Sequence, residues 1–287
     1  MVRYTACVER FRVHFAPDVS DLASVGVAEA EDLFEPFPRG KGPASRAQPV
    51  GSEPGRERIR LPLPGTPDEN GRVHERPQGA GTGWLWLVRY DGTGSWRELA
   101  GARLRRPRST SLASRDWNLI CHARRFGIAT PEPFALIEDG RGPVARRSAL
   151  LVRELEDWTR LDRWLQEPHD DRAWGRAARA LGELVARLQR AQLQLPNLAP
   201  EHLWLSPDDG CGRRPNVDPA LRVRHRPTIG VSHFEGGRLG PVDDEQQRTT
   251  AARIEAAIGG AFPTRARVLL CGHAGRGRTE RSRVVTG

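Results

Sequence analysis

Apolar and polar positions change period along this chain, and the change predicts its elements. Trp84-Leu85-Trp86-Leu87-Val88-Arg89-Tyr90 is dense in aromatic and β-favouring residues and predicts a strand. Arg58 to Leu63 alternates and predicts another. A helix follows over Ser111 to Phe126, with Gly127 placed to close it. Pro133 to Glu138 and Ser148 to Leu155 read as two further strands, joined by the turn residues Asp139 to Gly142. Beyond Leu155 the period becomes helical. Thr159 is placed to cap a short helix through Gln166. Asp170 or Asp171 is placed to cap a long one to about Leu193, with Trp174, Ala177, Ala178, Leu181, Leu184, Val185 and Leu188 on one core-facing side. Short strands are expected at Leu203 to Leu205 and Thr228 to Val231, and a helix near Asp244 to Ile258. At the other end, Val13 to Glu35 has helical spacing of apolar residues.

Strands first and helices later, with a break near residue 155, predict an α+β chain of two lobes with a cleft between them. The segment 36–58 is rich in Pro, Gly and Ser and reads as a loop or linker, as does Pro64 to Gly83. The expected divisions are an N-terminal extension and linker over 1–57, a small strand-rich N-lobe over 58–154, a helical C-lobe over 155–275 and a loose Arg-rich tail over 276–287.

Composition narrows the function classes. The 287 residues are 28% charged, and no apolar run reaches the roughly 18–20 residues that span a bilayer. Met1 to Asp18 lacks the apolar core of a secretory signal, so a cytoplasmic site, with a possible peripheral place at the inner membrane, is the expectation. Net charge is +9, carried by 45 basic residues of which only Lys41 is lysine. The arginines are scattered rather than striped and no nucleic-acid motif accompanies them, so general arginine bias accounts for most of the excess. Cys7, Cys121, Cys211 and Cys271 form no CxxC pair and read as free thiols of a reducing compartment.

Several segments carry a resemblance. Ser114-Arg115-Asp116-Trp117-Asn118-Leu119, with Phe126-Gly127-Ile128-Ala129-Thr130-Pro131-Glu132-Pro133 after it, resembles the lipopolysaccharide core heptose and Kdo kinases, where an acidic residue, an aromatic and a Gly-Ile-x-x-Pro-x-Pro turn lead into a strand. Ser148 to Leu155 looks like the strand into their interlobe hinge. Leu188-Gln189-Arg190-Ala191 is similar to the Leu-His-x-Ala that ends their long helix. Leu195-Pro196-Asn197-Leu198-Ala199-Pro200-Glu201-His202-Leu203-Trp204-Leu205 lines up with the kinase catalytic loop His-Arg-Asp-Leu-x-x-x-Asn and its following strand. His202 matches this family in particular, which carries His where protein kinases carry the metal-binding Asn. The resemblance covers 84–275 and, more loosely, 12–35. It implies a two-lobed protein-kinase-like fold and ATP- and Mg²⁺-dependent phosphorylation of a sugar.

The departures from that pattern fall on the chemistry. Phosphoryl transfer requires positioned Mg²⁺, a cation on the phosphates and a carboxylate to orient the attacking hydroxyl. The carboxylate position is Asn197, preceded by Leu195 and Pro196 in place of His and Arg. An amide orients a hydroxyl but does not accept a proton at neutral pH. The strand lysine aligns with Val88. Arg89 is one residue off and by alternation faces the other way, and Asp116 stands at the helix-glutamate position. Two positions compete for the second metal-binding Asp: His233, after the apolar Thr228-Ile229-Gly230-Val231 and within a family-like Asp-Phe-Glu-Gly, or Asp218 in Val217-Asp218-Pro219. The strand pattern favours His233. Imidazole is a poor Mg²⁺ ligand, so on that alignment no hard oxygen ligand survives at either metal position.

The resulting expectation is a degenerate kinase-like protein, a pseudokinase or scaffold tied to cell-envelope polysaccharide phosphorylation. Its alternatives are an active sugar kinase using ATP, Mg²⁺ and Asp218, and a module that grips lipopolysaccharide or another anionic glycolipid without nucleotide. Gly272-His273-Ala274-Gly275-Arg276-Gly277-Arg278-Thr279 mimics a Walker A loop but lacks room for the helix and strands that motif needs. Trp96 and Trp158 are the two tryptophans read as available for a surface role, and His202 and His233 are read as structural or exposed histidines in preference to a pair that meets in a cleft and binds a soft metal.

Overall fold

A computed structural model describes residues 4–8, 11–16, 22, 30–34, 48–53, 56–62, 83–91, 111–139, 147–155, 157–207 and 228–240. The strands are β1 (Tyr4–Val8), β2 (Phe11–Phe15), β3 (Gln48–Glu53), β4 (Arg56–Pro62), β5 (Trp84–Asp91), β6 (Glu132–Asp139), β7 (Arg147–Arg153), β8 (Thr159–Arg160), β9 (Leu193–Gln194), β10 (Leu203–Leu205), β11 (Ile229–Val231) and β12 (Arg238–Leu239). The α-helices are α1 (Leu112–Arg125), α2 (Leu161–Trp164) and α3 (Asp171–Arg190), with 3₁₀ turns at Ala30–Leu33 and Pro200–His202.

The chain forms two compact units, Met1–Asn118 with Glu132–Glu154, and Leu119–Pro131 with Leu155–Gly287. The first is built on a seven-stranded sheet in the order β1-β2-β6-β7-β5-β4-β3, every neighbouring pair antiparallel. Strand alternation sorts its side chains. Phe11, Val13, Phe15, Ile59, Leu61, Leu85, Leu87, Ala149 and Leu151 pack into one core with Leu22, Ala30 and Leu33. The Arg89 guanidinium lies on that side, donating to the Leu33 carbonyl and to Glu57. Val88 and Tyr90, of opposite parity, belong to the other face, where Tyr90 meets α1. Ser111, which precedes α1, donates its hydroxyl to buried Glu138 of β6.

The second unit is helical and carries short β-ladders. Asp170 caps α3 by accepting from the Ala173 N–H at 2.6 Å. Ala177, Ala178, Leu181, Leu184, Val185 and Leu188 of α3 are buried, each large side chain contributing roughly 1.5–3 kcal/mol of burial. A three-stranded sheet runs β11-β10-β8, and β9 pairs with β12.

The order strand, helix, strand, strand is present as β5, α1, β6 and β7, and Gly127 closes α1 at φ 70°. Two expectations are corrected at the N-terminal end. Within Val13 to Glu35, read as helical, residues 13–15 belong to β2, and among the described residues the 3₁₀ turn at Ala30–Leu33 is the helical part. Pairing of β2 with β6 supplies backbone partners that overrule the helical spacing. Within 36–58, read as a linker, β3 and the start of β4 form a hairpin. Thr159 belongs to β8, and the N-terminal cap position of α2 is Arg160, whose side chain makes no capping hydrogen bond. The expected helix at 244–258, the segment 64–82, the tail and the Walker-like segment lie outside the described residues.

Candidate functional site

The loop that lines up with a kinase catalytic loop begins where α3 ends. His122 Nε2 lies 2.7 Å from the Ala191 carbonyl at the end of that helix, and β9 follows. Leu193 and Gln194 of β9 pair with Leu239 and Arg238 of β12, which fixes the entry to the loop. Leu195 and Leu198 are buried and anchor it, with the Leu198 N–H on the Leu195 carbonyl. Asn197, between these anchors, is exposed. At the far end Leu203, Trp204 and Leu205 of β10 pair with Val231, Gly230 and Ile229 of β11.

This hairpin register places the residues after β11 beside the residues before β10. The His202 ring stacks on His233, centroids 4.1 Å apart and planes 10° from parallel. Ser232 ties the two segments: its N–H donates to the His202 carbonyl at 3.0 Å and its hydroxyl accepts from Trp204 Nε1–H at 3.0 Å. His202 Nδ1 is 3.0 Å from the Asn197 carbonyl and 3.3 Å from the Ala199 nitrogen. One tautomer donates to the former and the other accepts from the latter, so either holds the ring against the loop. Buried His233 directs Nε2 to Glu235 Oε2 at 3.3 Å.

Two glycines make the approach possible. Gly236 has φ 67°, and a Cβ there would sit 3.3 Å from the Asn197 amide nitrogen. A Cβ on Gly237 would lie 2.6 Å from the Phe234 carbonyl oxygen. The turn over 234–237, closed by Gly237 N–H on Phe234 O, therefore has no room for a side chain at 237 and favours glycine at 236 for its positive φ. Gly230 serves the same end on β11, where Leu155 and Trp158 carbons would stand 3.0 Å from its Cβ and the Val231 N–H reaches the Ala129 carbonyl. Trp158, read as available at the surface, is half-buried and packs over Gly230. Trp96 lies outside the described residues.

Asn197, His202 and His233 are thus brought together in the second unit. Stacked imidazoles keep their ring nitrogens in parallel planes rather than converging them on one ion, and among the described residues no group of three or more His, Cys, Asp or Glu side chains could hold a metal. Asp218 lies outside the described residues.

Val88 and Asp116 belong to the sheet-based unit. Val88 is buried and has no polar atom to offer. Asp116, 3% exposed, accepts from the Tyr90 hydroxyl at 2.6 Å and has Arg56 NH2 at 3.7 Å and Arg115 Nε at 3.7 Å. Burial, then the negative charge of Asp116, push the Tyr90 phenol well above its ordinary pKa. Arg56 and Glu235 were not singled out from sequence. The signals for them were the turn dipeptide Pro54-Gly55 ahead of Arg56, and the Glu of the Asp-Phe-Glu-Gly-like stretch.

The sequence profile of the lipopolysaccharide kinase (Kdo/WaaP) family matches residues 68–215, just over half the chain. The chain belongs to this family. A solved structure described as WaaP in complex with acyl carrier protein resembles it with a TM-score of 0.53 at 14% identity, over 80% of this chain and 78% of that one. The likeness carries the fold, which is α+β and protein-kinase-like. No curated protein sequence matches the chain. Among the described residues no helix is long and apolar enough to cross a membrane.

Proposed function

We propose that this member of the lipopolysaccharide kinase family is catalytically degenerate and acts as a pseudokinase or scaffold in phosphorylation of cell-envelope lipopolysaccharide. One observation carries the reading. The rings of His202 and His233, which the alignment sets at the two metal positions, stack on each other beside Asn197, which it sets at the position of the proton-accepting carboxylate. An amide retains the capacity to orient a hydroxyl and lacks the basicity to take its proton. A stacked imidazole pair offers Mg²⁺ none of the hard oxygens it requires. Val88 removes the ammonium that would hold nucleotide phosphates, and a planar guanidinium is not an equivalent point charge.

The test is transfer of labelled γ-phosphate from Mg-ATP to lipopolysaccharide core acceptors bearing heptose or Kdo. Label in the acceptor at background level, with the full chain folded, supports the reading. Transfer at the ordinary pace of a kinase, on the order of 1–100 per second, overturns it.

A further inference from the structure

Asp116, the carboxylate of α1, faces Tyr90 of β5, a strand with no lysine, and it is not left beside apolar groups alone. Arg56 stands directly opposite Tyr90 in the β4–β5 ladder, so the two side chains share a face, and Val88 lies on that face two residues along. Arg56 is 8% exposed at its side chain, with NH2 3.7 Å from Asp116 Oδ2. The same nitrogen is 3.5 Å from the Tyr90 hydroxyl, and the guanidinium carbon lies 5.3 Å from the Tyr90 ring centroid. The phenol in turn donates to Asp116 Oδ2. A buried cation, a phenol and a buried carboxylate thus form one connected group that ties β4 and β5 to α1.

We propose that Arg56 is a positioning residue that has taken over, from the neighbouring strand, the ion pair in which kinase-like proteins use the β5 lysine. The helix carboxylate is then neutralised from within the fold, and α1 is held without a nucleotide. The proposal rests on the alignment of Val88 with the lysine position and is independent of whether phosphate is transferred. Arg115 also lies 3.7 Å from Asp116, but its side chain is 37% exposed, so solvent screens its contribution. Removing the cation from a buried pair leaves the Asp116 charge with the Tyr90 hydroxyl and the screened Arg115 in place of a buried counter-charge, which is where the large effect falls.

The test is a cross-strand rescue in the full chain. Arg56→Met is expected to lower Tm by about 10 °C and to speed amide exchange along α1, while Arg115→Met lowers Tm by about 2 °C or less. Arg56→Lys keeps most of the wild-type Tm. Val88→Lys in the wild-type background lowers Tm, because a second cation is buried on one carboxylate. In the Arg56→Met background the same Val88→Lys raises Tm and slows exchange in α1, because it restores the pair from the original strand. That reversal of sign is what a merely space-filling Arg56 does not produce. A double variant no more stable than Arg56→Met, including the case in which neither folds, overturns the proposal. So does an Arg56→Met variant with the wild-type Tm.

Discussion

His202 lies flat on His233, the ring centroids 4.1 Å apart and the planes 10° from parallel. The β10–β11 register brings the two rings together. His233 is buried and its Nε2 faces Glu235. Changing His233→Asp loses the stack and sets a carboxylate at a buried position facing Glu235, whose own side chain is 38% exposed. With solvent screening the Glu235 charge, the expected cost is about 1–2 kcal/mol, read as a lower urea midpoint at unchanged slope. Unchanged stability would mean that the pocket still accommodates an acid there.

The turn after His233 gives a sharper steric test. Gly236→Ala meets an unfavourable positive φ and a close but yielding Asn197 side chain, and is expected to cost about 1 kcal/mol. Gly237→Ala meets a backbone carbonyl 2.6 Å from the new carbon, which moves only if the turn opens. It is expected to cost about 3 kcal/mol or more. Denaturant unfolding of the two variants side by side checks the order, and the reverse order would place the tight approach elsewhere.

Tyr90 links stability to alkaline pH. Its folded pKa lies above the unfolded value of about 10, so the neutral phenol is the form the fold favours. The stabilisation is complete below pH 10 and is lost as pH rises from there through the folded pKa. Tyr90→Phe removes the donor to Asp116 and is expected to cost about 1–3 kcal/mol at neutral pH. The same variant should show a shallower fall in stability above pH 10 than wild type. Thermal melts at intervals from pH 8 to 11.5 check both the offset and the slope.

Cys121 is a free thiol whose pKa is raised, first by burial, with Arg124 and Arg125 pulling the other way. The thiolate is the reactive species, so alkylation at pH 8 should be slower than that of free cysteine and should accelerate when the protein is unfolded. Peptide mapping after timed iodoacetamide exposure isolates this residue from the other cysteines. Labelling as fast as free cysteine would contradict the burial.

The helix α3 and the strands β5, β6 and β7 were legible because one signal dominated each. An amphipathic stripe with an Asp cap marked the helix, and aromatic or β-branched runs bounded by turn residues marked the strands. The two short apolar runs that pair as β10 and β11 were legible too, whereas the stacking of His202 on His233 was the less favoured reading. The role of Arg56 was hidden by composition. Glu53 pairs with Arg56 across a hairpin, but a Pro/Gly-rich neighbourhood reads as linker when no apolar alternation surrounds it. Likewise Val13 has the helical spacing of a surface helix, and only its partner Ile137 on β6, 124 residues later, makes it a strand residue. Local pattern records the face a residue presents and not which distant strand completes it.

The hairpin of β1 and β2 also bears on how the family domain can be excised. The β6 edge finds its backbone partners in β2, and the sheet face bearing Leu87 is covered by Leu33. A fragment confined to the profile-matched span, 68–215, would lack both, together with β4 against β5. Its two bare borders and uncovered aliphatic surface would invite self-association through strand addition rather than yield a miniature of the parent. Homology marks which part of the polypeptide is shared, whereas the folding unit reaches back to the first strands of the chain.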